Sequence, residues 1–163
     1  LVMLREPVSR AISYYYFVKY SNSSSYTHPS AKDVSQNDLV SFYQNPKFQN
    51  VQTRFVSGWW WNVVGRYISL NNWFGELVLT VAKRNLLMSY DAFGLQSEFN
   101  TSVELFANRI GSSVCLPDRR YQSTPNRPSK DELSNDTIKA LRRLNSKDMQ
   151  LHQYAVKHFY DQL

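Results

Sequence analysis

A wholly apolar run, Leu1 to Leu4, leads directly into Arg5-Glu6-Pro7. Short runs of this kind suit a buried strand of a parallel sheet. Val8, Ile12 and Tyr15 then recur at helical spacing, so a helix is expected from about Val8 to Tyr20. Pro7 fits its first turn, where a missing N–H costs nothing. A strand that ends on an arginine and turns at once into a helix is a natural anion site in an open α/β sheet. The guanidinium fork of Arg5 can grip a phosphate through two N–H groups. Ser13, eight positions later, can add a hydroxyl donor, so that the two clamp one phosphate.

The rest of the chain alternates in the same way. Ser21 to Asp38 is polar and reads as a loop. Asp38 can cap a short helix running through Gln44, which Asn45-Pro46 ends. Asn50 to Ser57 reads as another helix, broken by Gly58 before Trp59-Trp60-Trp61. Gly75 to Ser89 reads as a helix, Tyr90 to Leu95 as a second strand, and Gln96 to Ile110 as a third long helix. Gly111 to Lys130 holds three prolines and reads as a loop. Two closing helices are expected, about Asn135 to Leu144 and Lys147 to Gln162. Strands alternating with helices imply an α/β class.

Composition narrows the partner. The 163 residues suffice for one domain with one core, and the net charge of +6 favours polyanionic ligands. Lys and Arg are dispersed, which argues against nucleic acid. The single cysteine, Cys115, excludes an internal disulfide and Cys-rich zinc patterns, and no metal site is expected. No run approaches the roughly 18–20 apolar residues of a membrane span. The chain opens inside an apolar run, as if a strand were entered in its middle, so it reads as an excerpt of a longer protein. His28, His152 and His158 are not assigned as catalytic bases, since the last two are six apart on a helix and do not share a face.

Arg-(Asp/Glu)-Pro, a second Arg, and a Ser eight residues after the first together resemble the 3′-phosphate motif of sulfotransferases that use 3′-phosphoadenosine 5′-phosphosulfate (PAPS). Ser13-Tyr14-Tyr15-Tyr16-Phe17 is similar to the heparan sulfate 2-O-sulfotransferase branch. Asn50 to Gly58 resembles the Gln-Thr-Arg stretch of the carbohydrate sulfotransferases, and Asp91 to Phe99 resembles their strand-to-helix turn. Gln122-Ser123-Thr124 lies where the 6-O branch carries a nucleotide loop, with the family Arg displaced to Arg127. Leu144 to Ala155 is similar to their closing helix. These segments follow family order across nearly the whole chain.

The resemblance implies a P-loop-type three-layer α/β fold, a central parallel sheet flanked by helices, of which residues 1–163 form the helix-rich C-terminal part of a single domain. It implies transfer of a sulfuryl group from PAPS, without a metal, to a hydroxyl of a glycan acceptor. The implied cofactor contacts are Arg5, Ser13, Ser123, Thr124 and Arg127. Arg54 and Trp59 are the candidate acceptor residues, with a framework ion pair open for Arg54 and a core position open for Trp59. The P-loop and catalytic base are expected upstream of Leu1, so the chain alone is expected to be inactive. A membrane anchor upstream and a Golgi-lumenal catalytic domain are implied too. Asn22-Ser23-Ser24, Asn100-Thr101-Ser102 and Asn135-Asp136-Thr137 are sequons that suit such a route. A non-catalytic binder of acidic glycans, or another P-loop phosphotransferase, remains the alternative.

Overall fold

A computed structural model of the chain describes residues 1–21, 27–113, 124 and 126–163. Strand β1 (Val2–Leu4) pairs in parallel with β2 (Phe93–Leu95), Val2 opposite Phe93 and Leu4 opposite Leu95. Between them run α1 (Pro7–Tyr20), α2 (Ala31–Gln36), α3 (Leu39–Gln44), α4 (Val51–Val56), α5 (Trp59–Val64) and α6 (Trp73–Met88). After β2 come α7 (Phe99–Ile110), α8 (Asn135–Leu144) and α9 (Ser146–His158). The described residues are mainly helical, with a parallel pair of strands at the centre of one core.

Two apolar clusters organise these elements. The first holds Val2 and Leu4, Phe93 and Leu95, Leu79 and Leu86 of α6, Leu105 of α7, and Leu151 and Ala155 of α9. The second holds Val8, Ile12, Tyr15 and Val18 of α1 against Val34, Phe42, Tyr43, Phe48 and Leu141. Phe42 and Phe48 stack with ring centroids 3.9 Å apart. The Tyr43 hydroxyl donates to the Ala11 carbonyl at 3.1 Å. The tyrosine triplet of α1 is accordingly packing: Tyr15 is buried, while Tyr14 and Tyr16 flank the same cluster.

Local chemistry explains where the elements depart from expectation. Ser21 to Asp38 is not loop throughout, because Ala31–Gln36 forms α2 and Val34 enters the second cluster. Helix α6 starts at Trp73 rather than Gly75, because the Asn72 carboxamide caps it by accepting from Gly75 N–H at 3.2 Å. The tryptophan run follows the expected break and itself opens a helix, α5, with Gly58 at φ 111° supplying the turn that only glycine enters readily. Strand β2 is shorter than Tyr90–Leu95. A Cβ at Gly94 would lie 2.6 Å from that of Ser102, so β2 and α7 touch there. The Ser102 hydroxyl accepts from Leu95 N–H at 2.9 Å and donates to Leu95 O at 3.1 Å. This sequon serine is therefore part of the core, whereas Asn100 and Asn135 are exposed and Asn22 lies outside the described residues.

Candidate functional site

The tip of β1 gathers cations. Arg5 follows the last strand residue, and its backbone is held from outside the sheet. Arg5 N–H donates to Gln52 Oε1 at 2.8 Å, and Gln52 Nε2 donates to Arg5 O at 2.9 Å. Its half-buried guanidinium has a buried Nε without a hydrogen-bond partner among the described residues. Burial lowers the Arg5 pKa, and the charges of Arg127 and Arg10 lower it further, against the opposing pull of Glu6. The charges of Arg127 and Arg10 are thus felt at Arg5, and Arg10 was not among the residues singled out from the sequence.

Arg10 lies one turn into α1. Its Nη2 stands 3.7 Å from Asp148 Oδ2, and neither its Nε nor its Nη2 has a hydrogen-bond partner among the described residues. Arg10 also lines an apolar recess of about 330 Å³ with the β1 residues and Gln52. Ser13 is half-buried, three residues beyond Arg10 and on the same side of the helix. It lies six residues after Pro7, about 9 Å along the axis, so an anion touching both Ser13 and Arg5 needs the Arg5 side chain to lie back along α1.

The N-terminus of α1 itself is taken. Glu6 accepts from Ser9 N–H at 2.7 Å and Val8 N–H at 3.3 Å, and Lys130 Nζ lies 3.4 Å away. Burial pushes the Glu6 carboxyl up, but the hydrogen bonds from Ser9 and Val8 and the Lys130 charge outweigh it and hold the pKa below the ordinary value. Anion binding here thus rests on side chains, not on free helix N–H groups.

A buried polar knot backs this tip. Asp148 of α9 accepts from Thr53 N–H at 2.7 Å, Thr53 Oγ1 at 2.8 Å and Gln52 N–H at 3.2 Å, which caps α4. In return Asn50, in the left-handed region at φ 48°, accepts from Lys147 N–H at 2.9 Å and Asp148 N–H at 3.2 Å. Asn145 Oδ1 accepts from Asn50 N–H at 3.2 Å. Lys147 is buried and pairs with Glu76. His152, half-buried one turn after Asp148, has its pKa lowered by burial against the opposing charges of Glu6 and Asp148.

The other expected site residues lie apart from the tip or beyond description. Arg54 is 2 % exposed. Its Nη2 donates to Lys47 O at 2.7 Å, while Nε and Nη1 lack hydrogen-bond partners among the described residues. Burial pushes its pKa down to about 10, against Asp148 and with Arg66 and Arg10. Such a side chain sits in the framework rather than on an acceptor surface. Trp59, 76 % exposed at the start of α5, is not core, whereas Trp61 is half-buried and packs against Phe74 at 5.4 Å. Thr124 is half-buried and Arg127 exposed; Ser123 lies outside the described residues.

Sequence reasoning did not single out Gln52 or Asp148, although both stand in segments that carry the family likeness. Among the described residues there is no group of three His, Cys, Asp or Glu placed to hold a metal, and no helix long and apolar enough to cross a membrane. In comparison with known proteins, the chain matches no family model, no curated protein and no solved structure.

Proposed function

We propose that these residues form the 3′-phosphate-binding part of a PAPS-dependent carbohydrate sulfotransferase. One observation carries this reading: Arg10 and Arg127 depress the Arg5 pKa, and Nε of Arg5 is buried without a hydrogen-bond partner among the described residues, as are Nε and Nη2 of Arg10, whose one counter-charge among them is Asp148 at 3.7 Å. Desolvated like charges with unused donors are costly unless an anion pairs with them, and perturbed groups of this kind concentrate at functional sites. A phosphate dianion fits the donor set, with Arg5 as its fork, Arg127 beside it and Ser13 as a hydroxyl donor.

In the proposed reaction a sugar hydroxyl attacks sulfur, the S–O bond to the nucleotide phosphate breaks, and the hydroxyl proton passes to a base outside these residues. The products are a sulfate ester and 3′-phosphoadenosine 5′-phosphate. The contribution of these residues is positioning: gripping the 3′-phosphate holds the sulfuryl group in line. The same reading places catalysis in the Golgi lumen, with the P-loop and membrane anchor in chain that precedes Leu1. Calorimetric titration of the complete catalytic domain with 3′-phosphoadenosine 5′-phosphate tests it. Binding that collapses in Arg5→Ala is expected, and a folded wild-type domain that binds no nucleotide overturns it.

A second reading, a non-catalytic binder of acidic glycans, is favoured by a different observation. Trp59, Trp60, Tyr67 and Trp73 are each more than 60 % exposed on α5, the segment after it and the start of α6. Flat aromatic faces stack on sugar rings. Retention on an acidic polysaccharide without nucleotide binding would favour it over the enzyme.

A further inference from the structure

Each edge of the two-stranded sheet is closed by one glutamine amide. Val2 N–H donates to Ala92 O at 3.2 Å, so in this parallel ladder Val2 and Leu4 face β2, while Met3 and Arg5 face the opposite way. At that outer edge, Gln52 makes both hydrogen bonds to Arg5 that a neighbouring strand would otherwise make. At the far edge, Gln162 does the same for Phe93, accepting from its N–H at 3.0 Å and donating to its carbonyl at 3.2 Å. The clasps are alike, but Phe93 is a core residue and Arg5 carries a partly desolvated charge.

We propose that Gln52 is a positioning residue for Arg5, fixing the backbone from which its guanidinium is aimed at an anion; this rests on reading Arg5 as a phosphate contact. The Arg5 guanidinium is half-buried with its Nε enclosed, so where its backbone sits decides where the fork can reach. The two Gln52 hydrogen bonds fix that backbone. Gln52 is itself anchored, because its own N–H donates to the carboxylate of Asp148, which Thr53 holds with two further hydrogen bonds. A line of direct contacts thus runs from α9 through α4 to the tip of β1.

The test titrates the full-length protein with adenosine 3′,5′-bisphosphate and with adenosine 5′-phosphate. Gln52→Met, of similar length but without the amide, is expected to weaken the bisphosphate on the order of tenfold and leave the monophosphate unchanged. The double variant Arg5→Ala/Gln52→Met is expected to bind no more weakly than Arg5→Ala, since Gln52 acts through Arg5. Gln162→Met, which breaks the matching clasp on Phe93, is expected to leave both affinities as they are. Equal weakening of both nucleotides by Gln52→Met, or additive losses in the double variant, overturns the positioning role. Should Gln52→Met not fold, Gln52→Asn keeps an amide that cannot reach and carries the same expectations. Hydrogen exchange at the Arg5 amide reads the clasp without ligand: it is expected to accelerate in either Gln52 variant, and an unchanged rate overturns the clasp alone. A wild type that binds neither nucleotide overturns the phosphate reading and the positioning role with it.

Discussion

The junction of α4 with α9 and the tip of β1 both bury charge, and they treat it in opposite ways. At the junction Asp148 receives three hydrogen bonds, Asn50 receives two, and each helix start caps the other. At the tip, buried nitrogens of Arg5 and Arg10 find no acceptor among the described residues, and the cations repel one another. A closed polar network fixes one arrangement and makes a framework. An open one, in which Asp148 and Glu6 face a larger number of cations, is a place where a further counter-charge has most to gain. The contrast separates a satisfied polar framework from a tip with unused donors, although the two adjoin through Gln52 and Arg10.

The largest expected effect tests the closed side. Asp148→Ala removes the acceptor of three hydrogen bonds and leaves Arg10 without a counter-charge. Breaking a buried pair in this way typically destabilises by about 3–5 kcal/mol, to be read from the urea midpoint. A loss of under about 1 kcal/mol, the scale of one ordinary hydrogen bond, would show that the junction is not the framework described here.

Arg5→Ala should behave in the reverse sense. Removing one of three mutually repelling cations should leave stability unchanged or raise it, whereas nucleotide binding should weaken by about 1.5–3 kcal/mol, the worth of a hydrogen bond to a charged group. Paired melts and titrations on the one variant check both halves. A destabilised Arg5→Ala with intact binding would place Arg5 on the framework side.

Acid should act on groups that stand between the two regions. The folded His152 pKa lies below its ordinary 6.5, so between the folded value and 6.5 the unfolded chain binds more protons. Stability is therefore expected to fall as pH drops below about 6.5, with the loss complete beneath the folded value. Glu6 is held below its ordinary 4.5, and its contribution, present above that value, is lost as pH falls through the folded one. His152→Gln should flatten the upper window and leave the lower one in place, as read by urea midpoints from pH 7 to pH 3.

Much of this arrangement was legible in local sequence. Apolar runs, Pro7, Asp38 and the helical periodicities place β1, α1 and α3 closely, because strand entry, capping and amphipathic spacing are short-range effects. What was not legible depends on contacts far apart in sequence. Gln52 reaches back 47 residues to Arg5, and Asp148 reaches 96 to Gln52. A lone glutamine or aspartate carries no local mark of such a partner. Arg54 stayed open between acceptor and framework for the same reason: only tertiary packing shows the side chain turned into the interior.

The smallest structural effect is expected at Trp59. Its ring is mostly in solvent, so Trp59→Ala should change stability by no more than about 0.5 kcal/mol, as for surface positions away from caps and cores. Its informative readout is elution from an immobilised acidic polysaccharide, measured beside nucleotide titration. Earlier elution with unchanged nucleotide affinity would assign the aromatic face to the acceptor and the arginine tip to the cofactor, as two separate ligand sites on one framework. Unchanged elution would remove the aromatic face from acceptor binding and leave the basic tip as the one ligand surface for which these residues supply a physical case.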